Sequence, residues 1–174
     1  MSETVRLLGL DPGLRAMGWG VIDVTGNRLS HVANGTVTSS SKLSLAERLV
    51  QLEEGLVSVI ADHAPASAAV ETAFVSKDAA AALKLGQARA VALLVPARSG
   101  LEVAEYAPNK IKKTVTGSGH ADKQQIKMMV ETLLARCKTK SEHAADALAV
   151  AICHAHYRSA VSYVEVADAR VTRA

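Results

Sequence analysis

The apolar and polar positions change period several times along the chain, and each change marks an element. Val5-Arg6-Leu7-Leu8-Gly9-Leu10 is a short, mostly apolar run closed by the turn tripeptide Asp11-Pro12-Gly13, which predicts a buried strand presenting Asp11 at its carboxyl end. Residues 18–24, the pair Gly26-Asn27 and the β-branched stretch 29–38 predict strand, turn and strand. Leu45, Leu49, Leu52, Leu56, Val59 and Ile60 step by fours and threes, the spacing of one helical face. Ser44 with Glu47 three residues on has the spacing of a capping box, and the helix is expected to stop before Pro65. Residues 66–70 predict a second buried strand, again ending in a carboxylate, Glu71. Residues 79–95 are apolar nearly all round, interrupted by Lys84, Gln87 and Arg89, which predicts a helix covered on several sides by its own domain or by a second subunit. Residues 101–106 predict a further strand, Pro108 the first turn of a short helix, and Gly117-Ser118-Gly119 a flexible joint. Ile126, Met129, Val130, Leu133 and Leu134 space as an amphipathic helix. Ser141 can cap a last one carrying His143, Asp146, Val150 and His154. Residues 159–174 show no stable period and are expected to form a disordered tail behind a single domain, 1–158.

Strands first, then helix and strand in alternation, favour an α/β layer fold with one mixed sheet, in which functional groups belong at the carboxyl ends of the strands. The 174 residues suffice for one such domain, and 49% apolar with 21% charged residues excludes disordered, collagen-like and disulfide-dense classes. No apolar run is read as reaching the ~18 residues of a membrane span and residues 1–10 lack a leader pattern, so a cytoplasmic location is expected. Cys137 and Cys153 lack metal-type spacing and are expected as reduced, buried thiols.

Charge adds a second signal. Residues 106–140 hold eight bases against two acids, a local charge of +6, while the rest of the chain is −3. Positive charge confined to one stretch suits a face that meets a polyanion. Asp11 and Glu71 leave different strands at equivalent positions, and Asp146 stands in the alanine-rich Ala144-Ala145-Asp146-Ala147, with His143 on the same side of that helix. Three converging carboxylates repel one another unless a divalent cation neutralises them. Oxygen-rich sites suit magnesium or manganese, and two such ions ~3.5–4 Å apart serve phosphodiester hydrolysis.

Four segments resemble the RuvC-type Holliday junction resolvases of the ribonuclease H-like superfamily: Gly9-Leu10-Asp11-Pro12-Gly13-Leu14 with Gly18-Trp19-Gly20, Glu71 with Phe74, residues 82–89 (ALKLGQAR), and residues 143–149 (HAADALA). The resemblance covers roughly residues 5–157. It implies a five-stranded mixed sheet flanked by helices, and a homodimeric endonuclease dependent on two Mg2+ ions (or Mn2+) that makes paired nicks in four-way DNA junctions, leaving 5'-phosphate and 3'-hydroxyl ends. It also implies the RuvA and RuvB branch-migration proteins as partners. By this resemblance Asp11, Glu71 and Asp146 are acidic metal ligands and His143 fills the fourth place, where relatives carry either Asp or His. Phe74 is expected to contact DNA near the crossover. Lys112 and Lys123 match basic positions near the scissile phosphate, with Lys77, Lys110 and Lys113 as helpers. Lys127, Arg136, Lys138 and Lys140 are read as a solvated face, Trp19 as packing, and His154 and His156 as helix surface. The competing readings are a ribonuclease H-like enzyme that trims RNA precursors, an actin-like phosphotransferase, for which the chain is short, and a junction-binding module without activity, which would be expected to have lost one of the acids.

Overall fold

The computed structural model describes residues 3–72 and 78–171. In chain order the elements are β1 (Thr4–Asp11), β2 (Ala16–Thr25), β3 (Arg28–Thr38), α1 (Leu45–His63), β4 (Ser67–Glu71), α2 (Ala79–Arg98), β5 (Glu102–Tyr106), α3 (Pro108–Thr116), α4 (Lys123–Leu133) and α5 (Glu142–Val171). The five strands form one mixed sheet in the order β3-β2-β1-β4-β5. β1, β2 and β3 pair antiparallel through tight connections, whereas β4 and β5 join parallel to β1 after helical crossovers. This is the ribonuclease H-like mixed sheet that the resemblance implies.

The sheet separates two apolar layers. On one face Leu8, Leu10, Met17 and Val21 pack with Leu52, Leu56 and Val59 of α1 and Ala88, Ala92 and Val95 of α2. On the other, Leu7, Ile22 and Ala69 meet α3, α4 and α5. α1 begins on the expected capping box, the Ser44 backbone amide donating to the Glu47 carboxylate (2.8 Å) and the Glu47 amide to the Ser44 hydroxyl (3.4 Å). α4 starts on a second one, built by Asp122 and Gln125. Gly117, with φ of 79°, terminates α3 in the left-handed region, so what reads as a flexible joint begins as a helix cap.

α5 lies against β1 and β2 more closely than side chains would allow. A Cβ on Gly9 would strike the Ala147 carbonyl and one on Gly18 the His143 carbonyl. These glycines let the helix backbone rest directly on the strands, which fixes the height of His143 and Asp146 above the carboxyl end of β1.

α5 runs as backbone helix to Val171. Two expectations need correcting. α2, 20 residues long with mean hydropathy 1.2, has the length and composition of a membrane span, although no such run was expected. It packs on α1 and the β4–β5 part of the sheet but leaves Leu83 (66%) and Leu94 (52%) exposed. His154 is 4% exposed, not on the helix surface. Its ring is within hydrogen-bond distance of the Ser67 hydroxyl and the Tyr106 phenol, both at 2.9 Å, and these polar partners allow an imidazole to be buried. His156 is exposed, Trp19 packs beside Gly35 and His63, and both cysteines are buried free thiols, as expected.

Candidate active site

Asp11 and Glu71 close the adjacent parallel strands β1 and β4, so the sheet itself brings the two acids side by side. α5, resting on Gly9 and Gly18, adds His143 and Asp146 from above. With Lys112 of α3 and Lys123 of α4 they line one cleft of about 320 Å³, floored by Pro108, Ile111, Ile126 and Ala149. The apolar floor lowers the local polarity, which raises the cost of each uncompensated charge.

The electrostatics follow. Burial, then the charges of Asp11 and Asp146, push the Glu71 carboxyl up to about 7, against a smaller opposing pull from Lys112. Burial and the Asp11 charge push Asp146 up to about 6, with Lys123 opposing. His143 Nδ1 lies 2.9 Å from Asp11 Oδ2, and this hydrogen bond raises the imidazole pKa although partial burial works against it. Lys123 is paired with the exposed Glu142 carboxylate at the rim. Among the described residues no three of the His, Cys, Asp and Glu side chains stand in a ready cage for one ion; the acids share a cleft rather than a closed coordination sphere. The donor set nevertheless fits a hard divalent cation: three carboxylates and one imidazole, with the two buried acids carrying the repulsion that such a cation removes.

Residues 7–154 match the family model described as crossover junction endodeoxyribonuclease RuvC. The chain belongs to the RuvC family. A crossover junction endodeoxyribonuclease RuvC of Parvibaculum lavamentivorans is 68% identical over 92% of this chain and 91% of its own length, and that of Rhizobium meliloti is 59% identical over 93% and 95%. A solved structure described as Thermus thermophilus RuvC in complex with Holliday junction substrate superposes with a TM-score of 0.82 at 30% identity, covering 88% of this chain and 94% of that one.

Of the RuvC-type residues expected from the sequence, the structure gathers Asp11, Glu71, His143, Asp146, Lys112 and Lys123 around one cleft. Lys110 and Lys113 do not line it. The Lys110 ammonium instead sits over the Tyr157 ring (3.7 Å) and near that of Tyr106 (5.3 Å), and Lys113 is exposed on α3. Phe74 and Lys77 lie outside the described residues. Sequence reading missed the contacts that fix the site's supports. His154 stands eleven residues, close to three helical turns, after His143, so helical spacing alone places both on one stripe of α5.

Proposed function

We propose that Asp11, Glu71, His143 and Asp146 are the catalytic groups with which this RuvC family endonuclease resolves four-way DNA junctions, holding two Mg2+ ions, replaceable by Mn2+. The observation that carries this reading is the meeting of two strand-end carboxylates with a helix-borne carboxylate and imidazole over an apolar floor. Bound cations supply a nucleophilic hydroxide and charge neutralisation at the leaving oxygen of the phosphodiester. The chain's own part is to hold that chemistry in register. Glu71 and Asp11 are fixed by the β1–β4 pairing, and Asp146 and His143 by α5. His143, hydrogen-bonded to Asp11, orients that carboxylate. Lys112 and Lys123 line the same cleft and are suited to neutralise the phosphate being cut. By membership of the family, Phe74 is assigned to the crossover, with Lys77, Lys110 and Lys113 contributing outside the cleft.

The same reading takes the working unit as a homodimer, since two symmetry-related nicks need two sites. The exposed apolar residues of α2 support a second copy as the covering partner. RuvA and RuvB are the expected branch-migration partners, and the cytoplasm the expected location. The nuclease domain is assigned to residues 1–158.

The test is cleavage of a labelled four-way junction beside linear duplex and single-stranded RNA, with Mg2+ and without it. Paired, ligatable nicks in the junction alone, dependent on the cation, are expected; equal cutting of linear duplex or RNA contradicts the assignment.

A further inference from the structure

The connection between α4 and α5 carries three cations, Arg136, Lys138 and Lys140, that no ion pair among the described residues neutralises. Arg136, with φ of 68° in the turn that ends α4, Lys138 and Lys140 are exposed while Cys137 is buried and Thr139 half-buried, so the three charges are at the surface of a segment whose intervening residues hold it to the body of the protein. The backbone beneath them is fixed from several directions. Asn34 of β3, 1% exposed, donates through Nδ2 to the Lys138 carbonyl (3.2 Å), and its Oδ1 accepts from the Lys140 amide (3.0 Å). The Asn34 amide nitrogen also meets His31 Nε2 at 2.9 Å, so its polar capacity is largely used. Glu131 accepts from both the amide (3.1 Å) and the hydroxyl (2.8 Å) of Thr139, and the Cys137 amide donates to the Leu134 carbonyl (2.9 Å).

A buried asparagine that holds a loop of like charges in place keeps mutually repelling groups together, which is favourable when a polyanion lies across them. The loop ends three residues before His143, and its anchor is on β3, the edge strand beyond β2. Lys112 and Lys123 belong to α3 and α4, so the Asn34-anchored loop extends the positive surface from the cleft toward the opposite edge of the sheet.

We propose that residues 136–140, clamped to β3 by Asn34, form a second phosphate-contacting surface, on which the backbone of a duplex arm leaving the cleft is held. This rests on the reading that the substrate is branched DNA, and it assigns Arg136, Lys138 and Lys140 a role that a solvated face would not have.

The test compares the full chain carrying Asp11→Asn with the same chain also carrying Arg136→Gln, Lys138→Gln and Lys140→Gln. Binding of a labelled four-way junction and of a linear duplex is followed across a NaCl series. Each lost phosphate contact flattens the slope of log affinity against log salt by ~0.9, so a flattening of about 2–3 is expected, with affinity near 0.1 M salt falling at least ~10-fold. Thermal melting should match between the two proteins, since the substituted side chains are at the surface. An unchanged slope overturns the proposal, whether the loop then meets only solvent or an acidic protein. The slope is read on either DNA, so an absence of junction preference in the parent chain is recorded separately and bears on the proposed function alone.

Discussion

α5 carries two histidines on one stripe, and they differ in almost everything except residue type. His143 is about half exposed at the mouth of the cleft and bonded to a carboxylate, which raises its affinity for a proton. His154 is buried between Ser67 and Tyr106, both uncharged, and burial pushes its pKa down to about 4. The first turn of the helix is therefore held by a charge-assisted contact in a cleft of unrelieved repulsion, and its middle by a neutral, satisfied network. The contrast teaches where the fold is anchored and where it could take a cation: the buried middle stabilises the packing of α5 on β4, and the carboxylate end carries electrostatic repulsion that a divalent cation would relieve.

The largest effect should come from the strained end. Asp146→Asn is expected to lower cleavage of a labelled four-way junction on the order of 10³-fold while leaving the cation-free fold as stable as before or slightly more so, because one repelling charge is gone. Cleavage rates and thermal melts on the same preparations check both halves. In the quiet middle of the helix, His154→Ala strands two buried hydroxyls and should cost about 2–4 kcal/mol in urea denaturation. A loss near zero would show that the network is not an anchor.

The two environments also predict opposite pH dependences in the cation-free protein. His154 has a folded pKa below its ordinary value, so its unfolded form takes up protons first. The stability it contributes is present above ~6.5 and is lost as the pH falls toward 4, by about 3 kcal/mol at most. Glu71 and Asp146 have folded pKa values above their ordinary ones, so the stability linked to them is present below ~4 and is lost as the pH rises through about 6 to 7. Denaturation series from pH 4 to 8 should show the second slope shrink in Asp146→Asn, with the part due to Glu71 remaining, and the first vanish in His154→Gln. If neither variant alters its slope, the assignment of the two environments is wrong. The smallest effect expected is on the pH–rate profile. Protons compete with the cation at the raised carboxyls and at His143, so activity should fall on acidification, and His143→Asp should move that acid limb by less than about one pH unit. An unmoved limb removes His143 from the site.

Much of this was legible before the structure. Short apolar runs ending in Asp11 and Glu71 announced strand ends, and parallel pairing of β1 with β4 does the rest, because equivalent ends of adjacent strands must lie together. Ser44 and Glu47 announced α1 for local reasons, and local signals read well. The environment of His154 was opaque because its partners lie 87 and 48 residues away, and only the folded sheet supplies them. The ring contact of Lys110 was hidden for a related reason: a count of charge along the chain does not say which lysine lines the cleft and which settles on the Tyr157 ring. Asn34 gave no sign at all in a β-branched strand, although its amide holds the loop that leads into α5.

The most direct test of the central claim, that the acids of this cleft are gathered to hold divalent ions, is Mn2+ binding followed by electron paramagnetic resonance at pH 8 without DNA. The chain should bind up to two ions, and Asp11→Asn, Glu71→Gln and Asp146→Asn should each weaken or abolish binding while melting normally. Equal Mn2+ binding by the parent and all three variants would contradict the account.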